Sequence, residues 1–499
     1  MSYDTKIVSA RDTLQMLAET RRDLNGTVDR LQEQQDTARQ TLKDIACTLN
    51  KIDDMKARWG AVLDGFAKKV AKGFVKPLPG PDGSSPTGQL AHGFEHGADG
   101  FEDPVRVVKC DEVARPKMMS SIPAHEYHDT PAALAAKVRL LADMLRRAKH
   151  CALYTGAGIS TAAGIKDYAS KAGNRSSVLP KNLSNGSPFD AGSALSATPT
   201  YAHRALVALH KHGMIEGGWV QQNHDGLPQK AGLPQSACNE IHGSWFDPSN
   251  PVVPMSAGLR LDLVRRLNRT KDRADLVIAM GTSLSGVSAD QIVSDVGYAR
   301  HEQTAPVVQP PAKPLDVVSE KSTSGELIAE MTGAVPPVVT PSSSGLVGAV
   351  IINVQQTRLD GYASLRIFAT CDEVMRMLAT ELALDVPTSQ EVPKRQTSST
   401  AAVSDVWRGL PYDATSGERL QEGEPPSTLD LAVGVRVKLV DGNAPMAPVG
   451  LMGRVSGSSP EGHYSVVFDD GKTAWLGRWM LEAAAQGVLE RLPLVVVKE

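Results

Sequence analysis

The chain has 499 residues, 41% of them hydrophobic and 22% charged, with a formal net charge of −3. That length suggests about two to four domains, and the composition leaves room for a sizeable core. The near-neutral balance gives no argument for nucleic-acid or membrane-surface binding. No apolar run approaches the roughly 20 residues that span a bilayer, and the opening MSYDTKIVSARDT lacks the apolar stretch of a secretory signal. The 5 cysteines (Cys47, Cys110, Cys151, Cys238 and Cys371) form no close pairs. Neither a disulfide framework nor a CxxC metal knuckle is written here, and a reduced intracellular protein, nuclear or cytoplasmic, is expected.

Residues 10–70 hold a sustained heptad. One seam reads Ala10, Leu17, Leu24, Leu31, Ala38, Ile45, Ile52, Trp59 and Phe66; the other reads Leu14, Arg21, Val28, Gln35, Leu42, Leu49, Lys56, Leu63 and Val70. A lone straight helix drifts off a stripe of period about 3.5, so this pattern predicts a self-associating coiled coil over residues 1–72. The other reading is one long amphipathic helix packed on its own chain. Residues 73–125, with PLPGPDGSSPTG near their start, read as a flexible linker in which His92 and His96 are solvated.

From Pro131 the stretch PAALAAKVRLLADMLRRAKH predicts an amphipathic helix, followed by the short apolar strand CALYT. Helices and apolar strands alternate to about Leu384. Residues 126–387 are therefore expected to form an α/β domain with a Rossmann-like parallel sheet. A Pro/Ser/Thr-rich surface insert, expected to be disordered, interrupts it at 301–344. A second linker spans 388–428. Over 429–486, VGVRVKLV, GLMGRVSG and GHYSVVFDDGKTAWL alternate apolar and polar residues between Gly-rich turns, predicting a small β-barrel of SH3 or Tudor size. Its aromatics Tyr464, Phe468, Trp475 and Trp479 are either core or a peptide cage.

After CALYT comes Thr155-Gly156-Ala157-Gly158-Ile159-Ser160-Thr161. A strand, a Gly-rich turn and a helix start make a phosphate cradle, because glycine lets the backbone approach a pyrophosphate and the helix end offers N–H groups. The spacing departs from GxGxxG, and alone the turn serves equally as a tight turn without ligand. Further blocks follow in order: Gln222-Asn223-His224-Asp225-Gly226-Leu227, Glu240-Ile241-His242-Gly243-Ser244, Gly281-Thr282-Ser283-Leu284, Ile351-Ile352-Asn353 and Cys371-Asp372-Glu373-Val374. Asn-x-Asp-Gly is also good turn chemistry, and a lone His242 could be structural.

Together these blocks resemble the sirtuin family over about half the chain, most closely its class IV, nuclear-type branch. The resemblance implies an NAD-dependent protein-lysine deacylase. Gly156, Ala157, Gly158 and Ser160 would hold the pyrophosphate. Gln222, Asn223 and Asp225 would line the nicotinamide and ribose pocket, with Asn223 and Asp225 beside the catalytic base His242. Gly281, Thr282 and Ser283 would bind ribose and phosphate from the other side, and Asn353, Cys371 and Asp372 would flank the adenine. An acyl-lysine protein or peptide would be the substrate.

The sequence departs from the family in four places. The two CxxC pairs that follow the histidine block are missing from HGSWFDPSNPVVPMSAGLRLDL, so no thiolate zinc site can be built there and a zinc-free small domain is expected. PVVPM is a poor peptide-pairing strand, since Pro254 donates no ladder hydrogen bond. Lys166, Tyr168 and Ala169 stand where the family favours Pro, Phe and Arg. Pro228 replaces a His, and His224 an apolar residue. With the NAD half kept and the acceptor half altered, three readings stay open: a zinc-free deacylase, an NAD hydrolase or ADP-ribosyltransferase, and a non-catalytic NAD-sensing scaffold.

Overall fold

The computed structural model describes Arg21 and residues 81–115, 119–165, 195–253, 259–285, 288–304, 345–388, 405–421, 423–440 and 450–497. The expected coiled coil and, from residue 305, the expected disordered insert lie outside these residues. Apart from Arg21, everything described belongs to one unit, Pro79–Glu499.

The first described segment corrects an expectation, because the linker over 73–125 is folded from residue 81. It contains α1 (Gly88–His92), β1 (Val105–Val108), β2 (Val113–Arg115) and β3 (Met119–Pro123), and β1 pairs antiparallel with β4 (Glu126–His128). Long-range bonds tie it down. Lys137 Nζ donates to the Ala91 carbonyl at 3.0 Å, and the Phe94 amide to that of Ala363 at 2.8 Å. His92, expected in solvent, is buried 3.3 Å from Asp103. Local Gly/Pro composition reports turns; it carries no trace of partners so distant in sequence.

Helix α2 (Pro131–Arg147) begins where the sequence predicts. Thr130 Oγ1 caps it by accepting from the Ala133 amide at 3.4 Å, and Pro131 occupies the first turn, where its missing N–H costs nothing. Leu134, Val138, Leu141 and Leu145 form one buried stripe. There follow β5 (Cys151–Thr155), α3 (Tyr201–Lys211), β6 (Gly218–Gln221), the short α4 (Leu227–Lys230), β7 (Cys238–Glu240), α5 (Leu261–Arg273), β8 (Leu276–Met280), α6 (Gln291–Thr304), β9 (Gly348–Ile352), β10 (Leu365–Ile367) and α7 (Cys371–Glu381).

The strands form a 6-stranded, all-parallel sheet in the order β10-β9-β8-β5-β6-β7. Both faces are covered, which is why CALYT and LVIAM are buried throughout and mostly apolar. Cys151, Leu153, Leu276, Ile278 and Met280 point to one side, into a core shared with α2, α3 and α7. Ala152, Tyr154, Val277 and Ala279 alternate to the other side, against α5 and α6. The chain builds outward from β5 through β6 to β7, then crosses back to lay β8 on the opposite flank of β5. The loops leaving the carboxyl ends of β5 and β8 therefore lie at the switch point of the sheet, the place where open α/β sheets take ligands.

The C-terminal region also differs from its expected bounds. Within the expected linker, β11 (Val406–Leu410) pairs with β12 (Ser427–Asp430), and Tyr412 is buried. Beyond them β13 (Arg436–Leu439), β14 (Met452–Ser458), β15 (Tyr464–Phe468), β16 (Thr473–Leu476) and β17 (Leu494–Val496) form a 5-stranded antiparallel sheet, ordered β16-β15-β14-β13-β17, with α8 (Arg478–Ala485) before the last strand. The module thus runs past residue 486, because β17 pairs with β13. Tyr464, Phe468 and Trp479 are buried in its core and Trp475 packs against it, so these aromatics are core. Among the described residues no helix is long and apolar enough to cross a membrane.

His203 of α3 is fully buried beside Trp219, and burial pushes its pKa down to about 3. In the unfolded chain a histidine takes up a proton near pH 6.5. The unfolded state thus binds more protons below that point, so the stability contributed by His203 is full above pH 6.5 and is lost as pH falls towards the folded value. Comparison with a variant cancels the other groups. The stability advantage of the wild type over His203→Gln should shrink by roughly 1.5 kcal/mol between pH 6.5 and pH 5. Chemical denaturation at the two pH values measures this, and a pH-independent difference would contradict it.

Candidate functional site

Two turns meet at the switch point. The Gly156 amide donates to the Met280 carbonyl at 3.1 Å, and the Gly158 amide to the Gly281 carbonyl at 2.7 Å. A Cβ on Gly158 would lie 2.7 Å from Gly281 Cα, and one on Gly156 2.7 Å from Thr282 Cβ. The GAG and GTS motifs, far apart in sequence, are therefore one object, closed backbone to backbone. Among the described residues the amides of Ala157, Thr282 and Ser283 find no protein acceptor, the kind of donor set that holds a phosphate. The helix start expected after the GAG turn is instead two 3-10 turns, Ala157–Ile159 and Thr161–Ala163. Backbone amides, and no long helix dipole, are what this segment presents.

Beneath the turns lies a buried polar cluster. Ser160 Oγ donates to Asp225 Oδ2 at 2.6 Å. Asn223 Nδ2 donates to the Gly156 carbonyl and to Ser160 Oγ, both at 3.0 Å. The other Asp225 oxygen accepts from the Leu227 amide at 3.0 Å. Burial raises the Asp225 pKa, while the Ser160 and Leu227 bonds pull it back. Gln222 Nε2 reaches across to Thr282 Oγ1 at 2.9 Å. Next to it Leu284 sits at φ 44°, a left-handed conformation that a leucine adopts only under constraint. Nothing in the sequence signalled the Gln222–Thr282 bond or the strained leucine.

His242 stands at the end of β7, half-buried beside His224. Burial first, and His224 second, push its pKa down to about 4, so its imidazole is neutral at neutral pH. His224 Nδ1 donates to the Gly243 carbonyl at 2.8 Å, and the Trp245 amide donates to the His224 carbonyl at 2.9 Å. The NHDG and EIHGS loops are thus laced together. The Val253 amide donates to the His242 carbonyl at 3.0 Å, folding the following segment back over the loop. Pro254 to Gly258 and Lys166, Tyr168 and Ala169 lie outside the described residues.

The remaining expected site residues lie on elements next to these turns. Asn353 follows β9, with its side chain donating to the Gln355 carbonyl at 3.2 Å. Asp372, in the first turn of α7, accepts from the Ala202 amide at 2.8 Å and so pins α7 to α3. Cys371 is buried, and burial pushes its thiol up to about 12, which leaves it an inert packing group.

The fold and site define a Rossmann-like α/β domain with its candidate site at the carboxyl ends of its central strands. The chain is similar in sequence to proteins named as sirtuins. It is 32% identical over 267 residues to the NAD-dependent protein deacetylase sirtuin-7 of Rattus norvegicus, covering 52% of this chain and 63% of that one. It is 31% identical over 267 residues to the Homo sapiens sirtuin-7, covering 52% of this chain and 64% of that one. The NAD-dependent protein deacetylase SRT1 of Oryza sativa subsp. indica is 37% identical over 121 residues, 24% of either chain. The chain thus spans less than two thirds of the length of the sirtuin-7 relatives. No protein-family model matches. Among solved structures, Sir2Tm bound to a propionylated peptide is 20% identical at a TM-score of 0.33, covering 50% of this chain and 100% of that one.

Gly158→Ala tests the closure directly. The new methyl enters a space filled by Gly281, and either turn must move. A loss of about 1–3 kcal/mol in unfolding free energy is expected, the usual cost of overpacking. Unchanged stability in a urea titration would show that the two turns are not in close contact.

Proposed function

We propose that this chain is an NAD-dependent protein-lysine deacylase of sirtuin type, resembling the class IV branch and working without zinc. The observation that carries the reading is the joined Gly156–Gly158 and Gly281–Ser283 turns, with amides that find no acceptor among the described residues, together with a neutral His242. The sirtuin-7 relatives of Rattus norvegicus and Homo sapiens, each matching over half the chain, are named as NAD-dependent protein deacetylases.

In this reading Gly156, Ala157, Gly158 and Ser160 hold the pyrophosphate from one side, and Gly281, Thr282 and Ser283 hold ribose and phosphate from the other. Asn353, Cys371 and Asp372 border the adenine. When bound, NAD would supply an activated glycosidic bond to nicotinamide, which the acyl amide oxygen would displace. Gln222 and Asn223 line that end of the pocket. Asp225 acts from below, orienting Ser160 and the loop. His242 accepts a ribose hydroxyl proton, for which a neutral imidazole is the competent form. HGSWFDPSNPVV carries no zinc-binding cysteines, and the C-terminal sheet, read as an SH3- or Tudor-size module, packs on that segment. The acceptor is therefore an acyl-lysine peptide bound differently from the family's pattern. Self-association through the N-terminal heptads completes the proposal.

His242→Ala should lower nicotinamide release from NAD plus an acyl-lysine peptide library by ~100- to 10,000-fold, while shifting NAD affinity by less than about tenfold. With a base of pKa about 4, the wild-type kcat/KM should stay flat from pH 7 down to about pH 5 rather than fall below pH 6.5. Wild-type turnover in the variant would refute the mechanism. Release that needs no peptide would favour NAD cleavage with water as acceptor, and NAD binding without any release would favour a sensor.

A further inference from the structure

The C-terminal sheet touches both loops of the candidate site. Phe246, only four positions beyond His242, is fully buried, and its partners come from the C-terminal module. Its ring centroid lies 5.0 Å from that of Trp479 and 5.1 Å from that of His463, and these two rings lie 4.9 Å apart. The Gly477 amide donates to the Phe246 carbonyl at 2.8 Å. The Arg478 amide donates to His463 Nδ1 at 3.1 Å, which fixes that ring.

The second loop meets the same indole. Gly226, one residue after Asp225, has φ 63°, and a Cβ there would lie 2.8 Å from Trp479 Cζ2 and 2.9 Å from Cη2. Lys230 of α4 donates to the Leu195 carbonyl at 2.9 Å and stands 5.7 Å from the Phe246 ring centroid, while Glu461 of the module acts on its charge. Aromatic rings in such offset contact hold one another at fixed angles, beyond the area they bury.

We propose that Trp479, seated with His463 on Phe246 and against Gly226, is a positioning residue that holds the NHDG and EIHGS loops in register, making the C-terminal module an integral part of the NAD site. This rests on the proposed function only for its effect on turnover. The structural part stands by itself.

The test is hydrogen exchange on the full chain, with nicotinamide release measured in parallel. Trp479→Ala should speed amide exchange at least tenfold in residues 223–227 and 241–246, with β8 and β9 still protected. Turnover should fall at least tenfold, with NAD affinity changed by less than about threefold. Trp479→Phe keeps an aromatic ring on the module but removes the outer ring atoms that face Gly226. It should therefore loosen 223–227 in particular, and it covers the case in which the alanine variant does not fold. If both loops exchange as in the wild type while only the module loosens, the proposal is overturned. If the loops loosen but the wild type itself releases no nicotinamide, the positioning role stands and the deacylase reading fails.

Discussion

The site depends on one close approach. Gly158 and Gly281 pass so near each other that neither position has room for a side chain. The Gly158 amide closes the contact on the Gly281 carbonyl. Because β5 and β8 lie side by side at the switch point of the sheet, this contact brings two glycine turns from opposite arms of the fold into one wall. The buried bonds below it, Ser160 to Asp225 and Asn223 to the Gly156 carbonyl, convert that wall into a fixed floor. Buried polar groups satisfied in this way specify geometry strongly, since any shift leaves a partner unpaired.

The electrostatics follow from the same enclosure. Burial drives His242 towards neutrality and raises Asp225. A neutral imidazole suits accepting a proton better than it suits holding charge. Both oxygens of Asp225 accept bonds, from Ser160 and from the Leu227 amide, so Asp225 ties its loop to the glycine turn. Sequence alone grouped it with the catalytic residues.

Much of this was legible in the chain. Apolar pentads predict the buried parallel strands because a sheet covered on both faces has no polar side, and Thr130-Pro131 marks the start of α2 by its capping chemistry. The ordered blocks point to the site. Other features lay beyond local pattern. Residues 81–125 look like linker because their anchors, Lys137 and Ala363, are distant in sequence. The two 3-10 turns after Gly156 replace a helix that the glycine motif suggested. Trp479 reads as a barrel core residue or part of a peptide cage, and only the fold shows that its indole lies against Gly226 and Phe246. Tertiary contacts of this kind leave no periodicity.

The central claim is that the joined glycine turns bind a dinucleotide. The most direct measurement is calorimetric titration of NAD into the full chain and into Gly158→Val. Saturable one-site binding to the wild type, abolished in a Gly158→Val variant that still folds, is the predicted result. An absence of NAD binding by the wild type, or equal binding by the two proteins, would contradict the account.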